Sequence, residues 1–153
     1  MAHVRTQLRK GVQARLATVA ALSGVHDESR IVRGFQQDDF PLALVGVTET
    51  VSGVSDSQGQ RVYTRGMSVS IRLCVEDDVE NAEDALDGLA VAVEKALLKS
   101  SDLGVGKLQQ WRLANTSPVT PVAVSEGYML SQTLTYSCDV MTADSTPETN
   151  LLS

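Results

Sequence analysis

The sequence predicts an α+β domain. Its expected core is an antiparallel or mixed sheet of about four to five strands, with two helices packed on one face and a β-hairpin that projects. Three observations predict this. "MSVSIRLCVEDD" alternates without a miss, with Met67, Val69, Ile71, Leu73 and Val75 on one side and Ser68, Ser70, Arg72, Cys74 and Glu76 on the other. Two other segments carry apolar residues at helical spacing. The order is helix, strands, helix, strands, with hairpins and without repeated βαβ alternation.

Residues 2–22 form the first expected helix. Val4, Leu8, Val12, Leu16 and Val19 make one apolar stripe, and Arg5, Arg9, Lys10 and Arg15 lie elsewhere on its circumference. Gly11 weakens its middle, and Ser23-Gly24 is a stop. Beyond it "SRIVRG" suits a short strand and "FQQDDFP" a loop. Ala43, Val45, Val47 and Val51 share one parity, which predicts a strand over 42–52.

"GVSDSQGQ", residues 53–60, reads as a hairpin tip longer than a two-residue turn, and therefore mobile. The second arm runs from Arg61 to Glu76, with a bulge or bend at Gly66. An arm of about 15 residues spans roughly 50 Å, so part of it should project from so small a domain. Asp77 and Asp78 end it.

The second helix is expected from Asn81 to Ser100. Ala82, Leu86, Leu89, Ala90, Val93 and Leu97 form its buried stripe. Asn81 is the capping candidate, Glu83 and Asp84 suit the positive pole, and Lys95 and Lys99 suit the negative one. "KLQQWRLANTS" then reads as a strand, "PVTPVAVSEG" as a connection and "YMLSQTLTYSCDV" as an alternating strand. Residues 1–141 are thus one domain, and "MTADSTPETNLLS" supplies a loose polar tail over 142–153.

A length of 153 residues suits one domain with a sizeable core. Aromatic residues are only 4%, so that core must be mainly Val, Leu, Ala and Ile. A net charge of -6 argues against a broad basic face that grips nucleic acid. It is compatible with a path that DNA slides through. Cys74 and Cys138 are far apart and lack CxxC spacing, so reduced thiols are expected rather than a disulfide or metal site. "MAHVRTQLRKGVQARLATVAAL" matches neither a signal peptide nor a membrane span, and cytoplasmic folding is the expectation.

No catalytic signature emerges. His3 and His26 lack the spacing of a metal pair. "LGVGKL" fails as a phosphate loop, because Leu108 stands where Ser or Thr is needed and Ser101 where the first Gly belongs. "GVSDS" fails as a nucleophile elbow, because Ser57 replaces the closing Gly. The acidic run Glu76, Asp77, Asp78, Glu80, Glu83, Asp84 and Asp87 admits three readings. It is a solvated helix N-terminus, a carboxylate site for acid–base work or a divalent ion, or a negative wall facing DNA or a partner. Arg61, Arg65 and Arg72, with the basic residues of the first helix, would complement that run in a neighbouring subunit. Solvent exposure is the alternative for Arg72.

The order of elements, the segment "YTRGMSVSIRLCVEDDVENAEDALDGLAVAVEKAL" and the closing "YMLSQTLTYSCDV" resemble the tail terminator proteins of long-tailed bacteriophages, the group that includes the lambda minor tail protein U. The likeness covers about residues 2–141 and rests on pattern and order. It implies a homo-hexameric ring that caps the tail tube, ends its polymerisation and presents a docking surface to the head–tail connector or stopper protein. DNA would pass through without sequence-specific binding. The expected location is the virion tail or neck after assembly in the host cytoplasm, with no membrane partner. The resemblance brings no cofactor, no metal and no catalytic residue. Arg61, Arg65, Ser68, Ser70 and Arg72 are then candidates for a subunit or tube contact, and Asp77, Asp78, Glu80 and Asp84 for an acidic channel or interface patch. The alternatives are another head–tail joining protein or a small ligand-binding or enzymatic α+β domain.

Overall fold

The computed structural model describes residues 2–29, 39–57, 59–98, 103–122 and 128–152. Along the chain lie α1 (Val4–Leu16), β1 (Gly24–Asp27), β2 (Leu42–Ser57), β3 (Gln60–Asp77), α2 (Ala82–Ala96), β4 (Gln109–Thr116), β5 (Thr120–Val122) and β6 (Tyr128–Ala143). The strands form one mixed six-stranded sheet in the order β1-β2-β3-β6-β4, with β5 also on β6. This is the expected α+β class, with more strands than the alternation alone indicates.

β1 runs parallel to β2, and the other pairings are antiparallel. β3 and β4 both run antiparallel to β6, so they are parallel to each other, and α2 is the crossover between them.

Register places the alternating apolar residues on a single face. Ala43, Val45 and Val47 stand opposite Leu73, Ile71 and Val69, which in turn face Gln132, Leu134 and Tyr136 on β6. The stripe of α1 (Val4, Leu8, Val12, Leu16) and that of α2 (Ala82, Leu86, Leu89, Ala90, Val93) bury against this face. Each Val or Leu among them contributes roughly 1.5–3 kcal/mol on full burial. Trp111 of β4 closes the far side by stacking on Tyr136 at 4.9 Å, and its Nε1 donates to the Leu97 carbonyl at 2.7 Å.

α1 is shorter than its apolar pattern. After Leu16 the chain tightens into i→i+3 bonds, Thr18 N–H to Arg15 O and Val19 N–H to Leu16 O, and the Thr18 hydroxyl also donates to the Arg15 carbonyl. Val19 is still buried as part of the turn that follows. Gly11 allows a close approach rather than merely weakening the helix: a Cβ there would overlap the Leu103 carbonyl oxygen. α2 ends at Ala96, and Asn81 does not cap it with its side chain. Asp78 closes the turn before the helix, accepting from the Asn81 backbone N–H at 2.9 Å while the Asn81 amide also donates to it.

The hairpin is tighter than the sequence suggests. Pairing continues to Ser57 opposite Gln60, with Gly59 in the left-handed region at φ 81°, so the expected long mobile tip is strand. The irregularity lies between Val51 and Val54, where Ser52 and Gly53 oppose Thr64 alone, and not at Gly66. β6 accompanies β3 as far as Val62, so little more than the turn extends beyond three-stranded sheet.

β1 and β5 were not legible as strands. The strand expected from "SRIVRG" falls, apart from Ser29, outside the described residues. The tail expected to be loose from 142 onward is tied down. Thr142 and Ala143 end β6, the Pro147 carbonyl accepts from Val4 N–H at 3.2 Å, and Leu151 N–H donates to Met141 O at 2.8 Å. Buried Asn150 donates from Nδ2 to the Val105 and Lys107 carbonyls at 2.8 and 2.9 Å. Among the described residues no helix is long and apolar enough to cross a membrane.

Candidate functional site

The face of the sheet turned away from the helices is apolar at one end and hydroxyl-bearing along the rest. Phe40, Leu42, Leu44, Cys74 and Met129 form a small second cluster. Beyond it, cross-strand rows join Thr48, Ser68 and Ser137, then Gly46, Ser70 and Thr135, then Leu44, Arg72 and Thr133. Ser68 is exposed. Ser70 donates to Glu28 Oε2 at 3.1 Å, with the Glu28 carboxylate lying over Gly46 where a Cβ would collide with it. Arg72 is half-buried and reaches the Ser131 hydroxyl at 3.5 Å. These three candidates therefore share one surface.

Arg65 does not belong to it. Its parity puts it on the helix side opposite Val51 and Val140, and it is only 9% exposed. Its Nε donates to Thr142 Oγ1 at 2.7 Å and its guanidinium pairs with Glu49 at 3.1 Å. Glu49 also receives Arg5 at 3.3 Å. The expectation that Arg65 offers a contact surface is corrected: it ties β2, β3 and β6 together. The helix arginines are likewise spent within the chain. Arg9 pairs with Asp27, and Arg15 donates to the Ala96 carbonyl.

Arg61 is exposed near the hairpin turn, opposite Asp56. Asp77, Asp78, Glu80 and Asp84 are exposed at the other end of β3, roughly 50 Å away at strand rise. Asp77 accepts from the Asp78 backbone N–H at 2.8 Å, and Asp84 sits in the first turn of α2. The acidic run is thus built as a helix start. Among the described residues no group of three or more His, Cys, Asp or Glu is placed to hold a metal ion.

No family model matches the sequence, and no curated protein matches it. Among solved structures the chain is similar to one described as "Virion of native gene transfer agent (GTA) particle", at 17% identity over 92% of each chain and a TM-score of 0.39.

Two further surfaces escaped sequence reasoning. Val51 and Val54 are 47% and 62% exposed on β2, which beyond Val45 has no strand on its outer side among the described residues. On the opposite flank, a cleft of about 180 Å³ lies between the end of α2 and β4. Glu94, Leu97, Leu98, Trp111, Arg112, Leu113 and Tyr136 line it. Its volume is below the ~300 Å³ at which small-molecule sites usually begin. Burial, and then Glu94, push the Tyr136 hydroxyl up to about 12, so it remains a neutral donor. The signal for the cleft was present but weak: Val91 and Glu94 form a second line on α2 beside the buried stripe, and Leu98 follows just past its end.

Proposed function

We propose that this chain is an assembly protein of the tail-terminator kind, a subunit of a ring that caps a tail tube, ends its growth and offers a docking surface to the head connector. The observation that carries the reading is the pair of unlike free flanks on one sheet. β2 beyond Val45 forms one side and β4 the other, with no further strand on either among the described residues. A closed ring needs two different side surfaces that meet head to tail, which these flanks supply. The resemblance in element order supports the same reading.

The hydroxyl face carrying Ser68, Ser70 and Arg72 is the further surface available to a neighbour or to the tube. The acidic corner of Asp77, Asp78, Glu80 and Asp84 suits a channel wall, since bound phosphates would retard DNA passage. Its distance from Arg61 gives the subunit two electrostatically distinct ends.

The test is polymerisation of tail tube protein with and without this chain, followed by electron microscopy. The proposal expects tubes that stop growing and carry a cap at one end. Tubes of unchanged length beside a chain that stays monomeric would overturn it. Tails of normal length that fail only to join heads would assign a stopper role instead.

A further inference from the structure

We draw no further inference here: the strongest candidate, the cleft between the end of α2 and β4 with exposed Leu98 and Leu113 in its lining, carries nothing because nothing in the structure shows what covers it.

Discussion

Replacing Arg65 with Met separates a structural tie from a contact surface. Met keeps an apolar stem of similar length and removes the guanidinium. Two bonds are lost, Nε–H to Thr142 Oγ1 at 2.7 Å and the Glu49 pair at 3.1 Å. Bonds to charged groups contribute about 1.5–3 kcal/mol each, and breaking a fully buried pair costs about 3–5 kcal/mol. Here Glu49 keeps Arg5 at 3.3 Å and is 16% exposed, so the loss falls short of that limit. The expected destabilisation is about 2–3 kcal/mol, or a melting temperature lower by about 4–12 °C for a chain of this size. Urea denaturation of the variant, of Glu49→Gln and of the double variant measures it, and the double variant should lose less than the sum of the singles. A loss under about 0.5 kcal/mol would refute the tie, particularly if ring formation fell while the fold held.

Other perturbations follow the same logic. Gly11→Ala gains about 1 kcal/mol of helix propensity yet meets the Leu103 carbonyl, so calorimetry should show a net loss of about 1–2 kcal/mol; a gain would show that the loop yields. Asn150→Ala strands the Val105 and Lys107 carbonyls and should cost about 2–3 kcal/mol in denaturation, with faster amide exchange at Leu151; no change would mean the last residues are not held. Burial, and then Asp139, push the Cys138 thiol from 9.0 to about 12, and burial also raises Cys74 against the opposing pull of Arg72. Neither should react with a thiol reagent near about pH 8 until the chain unfolds, and rapid labelling of native protein would contradict this. Because the folded thiol holds its proton more tightly than the unfolded one, this contribution is complete below pH 9.0 and disappears as pH rises towards 12. Tyr136, shifted upward from 10.0, adds to the same alkaline loss.

Periodicity carried the main architecture into view. The runs of β3 and β6 fix face and register, because a one-residue slip would turn every Val and Leu outward. The stripes of α1 and α2 likewise identify their buried sides. Helix ends were less legible, since the Arg15 and Leu16 carbonyls are taken by tight turns that apolar spacing does not encode. β1 and β5 are three or four residues long and gain their identity from the neighbours they pair with. The terminal segment looked loose because it is polar, yet Asn150 holds it through backbone carbonyls distant in sequence.

The candidate site divides in the same way. Ser68, Ser70 and Arg72 could be placed on one face from parity alone. Arg65 could have been excluded by the same parity, since it shares the apolar side with Tyr63, Met67 and Val69. Glu49 falls among Ala43, Val45, Val47 and Val51 in the same fashion. Opposite charges on the dry parity of two adjacent strands are the sequence signal for such an ion pair. The cleft left only the faint line of Val91 and Glu94 in the sequence, because it forms only when the crossover sets Leu98 beside Trp111 and Leu113.

Assembly state tests the account most directly. Native mass spectrometry of the purified chain, alone and with tail tubes, should reveal one closed ring of fixed stoichiometry, a hexamer by the tail-terminator resemblance. A chain that remains monomeric in both conditions would contradict it.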